Sequence, residues 1–233
     1  MKPKTIIIIA VVVILISIGI ILFVVLRKGT STKKLKNKTP KKILFVGDSQ
    51  SAIKTADGKD ISYTYPRLIK NTLEPKGYEI DVLALGGMAT KWMKDSLPTQ
   101  LAKKKYDRIY ILGGGNDASN KSILLTTTLN NFQEMVNAGQ SSGADVFVML
   151  GYRIDNFSDY RKMPLTIYVK KQEDWIPYIE RRKEIQTALP KTIVNATGFV
   201  PAYDLNAMTN DGIHPTTAGH KIIANIMLKH ITQ

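Results

Sequence analysis

The chain has 233 residues, a formal net charge of +14 and no cysteine, which excludes a disulfide framework and any thiolate metal site. Its hydrophobic fraction of 44% is ordinary for a globular protein, but neither apolar residues nor charge are evenly spread. Residues 1–42 hold ten basic and no acidic side chains, leaving 23 basic against 19 acidic, or +4, in the remaining 191. The high isoelectric point therefore belongs to the tail and is no sign that a folded domain binds nucleic acid specifically.

After a short tail at 1–4, residues 5–26 (Thr5 to Leu26) run for 22 positions without a charge, dominated by Ile, Val and Leu. About 20 apolar residues span a bilayer as a helix. The run exceeds the ~7–15 apolar residues of a secretory signal core, and Phe23-Val24-Val25-Leu26-Arg27 offers no small-residue cleavage pattern. The expectation is an uncleaved, single-pass transmembrane anchor. Residues 27–42 come next, with eight basic groups and no acid, filled out with Gly, Ser, Thr, Asn and Pro. They read as a flexible linker that can touch anionic lipid headgroups. The basic flank after the span favours a cytoplasmic position for residues 43–233. The short Lys-Pro-Lys start before an apolar run instead resembles a signal anchor that exports them. Extracytoplasmic placement, a virion membrane included, is the expectation.

Residues 43–233 are long enough for one domain with its own core. Short apolar runs alternate with helical stretches. Strands are predicted at 43–46, 80–85, 108–112, 145–150 and 191–194, and helices at 62–73, 91–104, 121–141, 173–188 and 217–231. Such alternation predicts an α/β fold of three layers, α/β/α, around a parallel sheet of about five strands.

The strand ends carry the chemistry-bearing residues. The first apolar run, Ile43-Leu44-Phe45-Val46, stops at Gly47-Asp48-Ser49, which places a serine at the rim of a sheet, where open α/β sheets keep their sites. The second ends in Gly86-Gly87-Met88-Ala89-Thr90, either a tight turn or a glycine N–H aimed at a substrate. The third ends in Gly113-Gly114-Gly115-Asn116-Asp117, a loop that lacks the Lys-Ser/Thr of a phosphate loop and suits an asparagine donating to an oxyanion. Residues 151–172, with Tyr152 among several aromatics, break the alternation and read as an inserted loop at the same edge. Near the C-terminus, Asp211-Gly212-Ile213-His214-Pro215 supplies an acid and a base three residues apart. Ser49, His214 and Asp211 would form a nucleophile, a base and its orienter. His220 and His230 read as surface or helix residues, and the three histidines lack the spacing of a helical zinc site.

These segments together resemble the SGNH (GDSL-type) hydrolases. Gly47-Asp48-Ser49-Gln50-Ser51 resembles the block that carries the nucleophile, Gly86-Gly87 the oxyanion glycine, Gly114-Gly115-Asn116-Asp117 the oxyanion asparagine, and Asp211-Gly212-Ile213-His214 the rest of the triad. The four lie in the family's order, and the resemblance covers about residues 43–231. Gln50 stands where the family usually has an apolar residue, and the asparagine that often precedes the second-block glycine is missing. The resemblance implies a flavodoxin-like fold and Ser49, Asp211 and His214 as catalytic residues. It further implies the N–H groups of Ser49 and Gly87 with the Asn116 side chain as the oxyanion hole, Gly86 being the alternative to Gly87. No metal or organic cofactor is implied.

The expected activity is hydrolysis of an ester, with O-acetyl groups on a cell-envelope or capsular polysaccharide as first choice. Trp92 and Tyr152 are candidate sugar-binding residues, with core packing the other reading of Trp92. Lysophospholipase or thioesterase activity is an alternative. A membrane-anchored structural or glycan-binding protein, for example of a virus or phage particle, that keeps the fold with little turnover is another.

Overall fold

The computed structural model describes residues 41–150, 165, 169–193, 196–197 and 211–233. Five parallel strands form one sheet in the order β2-β1-β3-β4-β5: β1 is Lys42–Gly47, β2 Glu79–Ala84, β3 Arg108–Leu112, β4 Asp145–Met149 and β5 Ala196–Thr197. The helices are α1 (Tyr65–Leu73), α2 (Thr90–Lys103), a short α3 (Gly115–Ser119), α4 (Leu125–Ser141), α5 (Trp175–Thr192) and α6 (Thr217–Thr232). This strand order is flavodoxin-like, and it reverses direction around β1 and β3, the point where such sheets open a crevice at their C-terminal edge.

Side-chain alternation sorts the core into two layers. Ile43 and Phe45 of β1, Tyr110 and Leu112 of β3 and Met149 of β4 face α1 and α6, among Tyr65, Ile69, Leu73, Ile223 and Met227. Leu44 and Val46, Ile109 and Ile111, and Val146 and Val148 face α2, α4 and α5, among Met93, Leu97, Phe132, Met135 and Trp175. Both faces of β1 are fully enclosed, which is why its sequence is a continuous apolar run rather than an alternating one. Each such side chain contributes about 1.5–3 kcal/mol of burial. On the α1/α6 side, Tyr110 stacks between Phe45 and Phe147 with ring centroids 5.5 and 5.2 Å apart.

The folded unit runs from Thr39 to Gln233. Lys42, assigned to the linker on sequence, opens β1, and the Asp107 carboxylate accepts the N–H groups of Lys41 and Lys42, each at 2.9 Å. The expected span at 5–26 and the linker to residue 40 lie outside the described residues; among those described, no helix is long and apolar enough to cross a membrane.

Several boundaries move for identifiable reasons. The predicted helix at 121–141 starts only at Leu125, because the Asn120 side chain accepts from the N–H and hydroxyl of Ser122 and holds a turn there. The segment predicted as a strand at 191–194 begins inside α5, which passes through Pro190 and ends at Thr192. Ile193 is buried as the cap of that helix, donating to the Leu189 carbonyl at 2.8 Å, and the fifth strand is the two-residue β5 beyond it. Gly115–Ser119, read as loop, forms the short helix α3.

His220 is on α6 but not at the surface. It is 3% exposed, its Nδ1 accepts the Tyr65 N–H at 3.2 Å, and its ring stacks against that of Tyr65. Burial, reinforced by the positive charge His214 carries when protonated, brings its pKa down to about 4. A depressed histidine pKa stabilises the fold above the unfolded value near 6.5, and that contribution is lost as pH falls towards 4. Between pH 7 and pH 4.5 the domain should lose about 2–3 kcal/mol from this group. Urea unfolding at the two pH values checks this. His220→Gln should be less stable at pH 7 yet lose less on acidification, whereas an unchanged pH dependence in the variant would show that His220 does not titrate in this way.

Candidate active site

The first catalytic-type residue is placed by how β1 ends. A side chain at Gly47 would put its Cβ 2.8 Å from the Leu112 carbonyl oxygen on the neighbouring strand and into the Ser51 side chain. Glycine is therefore needed there for clearance rather than for an unusual backbone angle. The chain then turns, with the Asp48 carbonyl accepting the N–H groups of Ser51 and Ala52 at 3.0 Å. Ser49 is left half-exposed at the sheet edge. Ser51, two residues on, is fully buried with its Oγ 2.7 Å from the Tyr65 hydroxyl.

From the other end of the sequence, residues 211–216 deliver the partners. The Asp211 Oδ1 accepts the N–H groups of Ile213 (2.8 Å) and His214 (2.7 Å), curling the loop around its own carboxylate. Thr216 then caps α6, its Oγ1 accepting the Gly219 N–H at 3.0 Å. His214 Nδ1 lies 2.8 Å from Asp211 Oδ2, and His214 Nε2 lies 2.8 Å from Ser49 Oγ. A carboxylate only accepts, so Nδ1 carries the proton and Nε2 accepts from the serine hydroxyl. The three residues named from the sequence thus form one continuous hydrogen-bonded chain.

The electrostatics of the chain are directional. Burial works to raise the Asp211 pKa but is outweighed by the hydrogen bonds from the His214 ring and from two backbone N–H groups, which hold the carboxyl well below its usual range. The Asp211 hydrogen bond raises the pKa of His214 above its ordinary value against the opposing effect of burial, with Asp48 adding a smaller push upward. Asp48 itself is buried beneath the turn. Burial raises its pKa, while the Gln50 N–H and the Arg182 guanidinium work in the opposite direction.

Ser49 and His214 open onto a cavity of about 1170 Å³. Gly86, Gly87 and Asn116 line it beside them. Among the described residues, the backbone N–H groups of Ser49, Gly86 and Gly87 donate no hydrogen bond. Gly87 adopts a left-handed backbone with φ of 77°. Asn116 Nδ2 donates to the Met88 carbonyl at 3.0 Å, which fixes the amide and uses one of its two hydrogens. The rest of the lining is mixed, with Asn120, Lys121, Asp174 and Arg181 interleaved with Ile123, Leu124 and Pro177. Val169, from the loop expected at this edge, also lines it, whereas Tyr152 lies outside the described residues. Trp92 is half-buried against the core and is not among the lining residues. Among the described residues there is no group of three His, Asp or Glu side chains that could hold a metal ion.

The GDSL-like lipase/acylhydrolase family profile matches residues 45–222, which takes in Ser49, Gly87, Asn116, Asp211 and His214. The chain belongs to this family. No curated protein matches it. Solved structures share its fold at low identity. A psychrotrophic esterase from Pseudoalteromonas sp. is 19% identical over 82% of this chain and 96% of its own, with a TM-score of 0.56. A variant of an acetyl xylan esterase from Geobacillus stearothermophilus is 19% identical over 82% and 94%, with a TM-score of 0.55. A GDSL-like lipase from Bacteroides thetaiotaomicron is 14% identical over 88% and 96%, with a TM-score of 0.57. The protein is accordingly an ester hydrolase of the GDSL type.

One feature of this GDSL hydrolase has no counterpart among the sequence-based expectations. Asp117, 1% exposed, accepts the Thr90 N–H at 2.9 Å, the Thr90 hydroxyl at 2.5 Å and the Thr128 hydroxyl at 3.2 Å, and Asn131 Nδ2 donates to Thr90 Oγ1. The carboxylate also sits at the N-terminus of α2, where negative charge is favoured. Together with the Asn116–Met88 bond, it bolts the Gly86–Thr90 segment to the Asn116 segment. The adjacency of Asp117 to Asn116 is visible in the sequence, but nothing there marks Thr90 as its partner. Asp117→Asn keeps one acceptor oxygen but turns an amide NH₂ towards the donors of the other, and should cost about 1–3 kcal/mol, with turnover falling as well. Denaturant midpoints and steady-state kinetics check this. Unchanged stability together with unchanged turnover would refute the bolt.

Proposed function

We propose that this hydrolase removes O-acetyl groups from a cell-envelope or capsular polysaccharide, using Ser49 as nucleophile, His214 as general base and Asp211 as its orienter. The observation that carries the reading is the continuous Ser49–His214–Asp211 hydrogen-bond chain, with Ser49 and His214 lining a large cavity. In the proposed reaction Ser49 Oγ attacks the ester carbonyl while its proton passes to His214 Nε2. The negative charge on the carbonyl oxygen is met by the N–H groups of Ser49 and Gly87 and by the Asn116 amide, each such donor worth roughly 10²–10³ in turnover. His214 then hands its proton to the departing sugar oxygen. Water, deprotonated by the same imidazole, attacks the acetyl carbon, and the proton passes to Ser49 Oγ as its bond to the acetyl group breaks and acetate leaves.

Three considerations support the sugar ester over a long acyl chain. The lining, though mixed with apolar residues such as Ile123 and Leu124, includes amide, carboxylate and cationic groups that can bind hydroxyls. The fold neighbours include two proteins named as acetyl xylan esterases. A substrate fixed in an envelope also fits a chain held at a membrane by residues 5–26, with its catalytic domain outside the cytoplasm; in that case the full chain should sediment with membranes and leave them in detergent but not in salt.

The test is an activity screen of the full chain in detergent on acetylated glycans, small acetyl esters and long-chain acyl esters. Acetate release should exceed long-chain hydrolysis, and the reverse ranking would favour the lysophospholipase or thioesterase reading. Because a neutral His214 is required and its pKa is raised, activity should rise with pH through a limb above the ordinary histidine value near 6.5. In Asp211→Asn the limb should move to lower pH and turnover should fall by roughly 10⁴-fold. A limb that stays in place in this variant would contradict the pairing.

A further inference from the structure

Gln50 lies directly after Ser49, is 5% exposed and lines the cavity. Its backbone N–H donates to Asp48 Oδ1 at 3.0 Å, which ties it into the nucleophile turn. Its side chain leaves that turn altogether, and Nε2 donates to the Ile213 carbonyl at 3.1 Å, 163 residues away in sequence. Ile213 is the residue immediately before His214. The base loop is shaped internally by the Asp211 carboxylate and is joined to α6 through Thr216. Neither of these contacts sets its distance from Ser49.

Two side-chain hydrogen bonds cross that gap among the described residues, Ser49 Oγ to His214 Nε2 and Gln50 Nε2 to Ile213 O. The first joins the atoms between which the proton moves, so it must break and re-form in every cycle. The second involves no reacting atom and can persist throughout. We propose that Gln50 is a positioning residue that pins the base loop to the nucleophile turn and keeps His214 Nε2 within reach of Ser49 Oγ during turnover. This rests on the reading of Ser49 and His214 as nucleophile and base. In this role Gln50 acts through the position of His214 and not on the ester itself.

The test uses the full chain in detergent, 4-nitrophenyl acetate as substrate and a fluorophosphonate as an independent probe of Ser49. In Gln50→Leu the turn keeps a side chain of similar bulk but loses the donor. kcat should fall about tenfold to a hundredfold, the range expected when a reacting group drifts by about an ångström. KM should change little, and phosphonylation should slow in parallel with kcat. Gln50→Met replaces Gln50→Leu if the latter does not fold. Gln50→Glu supplies a readout that general loss of packing would not move. An ionised carboxylate cannot donate to the Ile213 carbonyl, whereas a protonated one can. The rate of Gln50→Glu relative to Gln50→Leu, each divided by the neutral fraction of His214 found from that variant's own pH profile, should therefore rise as pH is lowered. Wild-type kcat in Gln50→Leu, or a ratio independent of pH, would overturn the positioning role and leave the proposed chemistry intact. A wild-type chain that neither hydrolyses the ester nor takes up the phosphonate would overturn both.

Discussion

The hydrogen bond between Ser49 and His214 joins residues 165 apart in the chain, and the architecture can be understood as what makes that bond possible. Ser49 sits at the C-terminal end of β1, next to the point where the strand order reverses. Asn116 comes from the end of β3, which is paired directly with β1 in the register Gly47 to Leu112. The base loop arrives from the other side, carried by α6, which packs with α1 over the face of the sheet formed by Phe45 and Tyr110. A shift of one residue in the β1–β3 register would turn Ile43 and Phe45 into the wrong layer, so the apolar pattern of the strand also sets where its last residues point. Core packing and site geometry are one constraint seen from two ends of the same strand.

Chemistry at the site depends on unequal environments for like groups. His214 and His220 are six residues apart and respond in opposite directions. His214 faces a carboxylate held strongly ionised by three hydrogen bonds, and its pKa is raised. His220 is enclosed against Tyr65, and burial, with the charge of protonated His214, brings its pKa down to about 4. The first is thereby suited to take up a proton and the second to remain a neutral acceptor for a backbone N–H. Asp211 and Asp48 diverge in the same way. The first is partly exposed and well below the usual carboxylate range, and the second is buried and raised.

Much of this is legible in the sequence because strands buried on both faces leave long apolar runs, and because their C-terminal ends are punctuated by glycine. The four principal strands, and the convergence of Ser49, Gly86-Gly87, Asn116 and His214 on one edge of the sheet, can be read from those signals and from their order. The rest depends on contacts that have no local signature. The depth of His220 comes from its packing on Tyr65, 155 residues away. The end of α5 is hidden because Thr192-Ile193-Val194 has the composition of a strand, while the helix carries through Pro190 and buries Ile193 at its cap. Trp92 reads from sequence either as a ligand platform or as core packing, and only the fold shows it partly buried against the core. Asp117 and Thr90 are ordinary polar residues until folding brings them together.

Covalent capture distinguishes Ser49, the proposed nucleophile, from every other hydroxyl of the chain. Ser51 is the obvious rival in sequence, but its hydroxyl is fully buried and bound to Tyr65. Intact-mass measurement after treatment with a fluorophosphonate should show a single adduct per chain in the wild type and in Ser51→Ala, and none in folded Ser49→Ala. An adduct that persists in Ser49→Ala, or a folded and active wild-type enzyme that takes up none, would contradict the account.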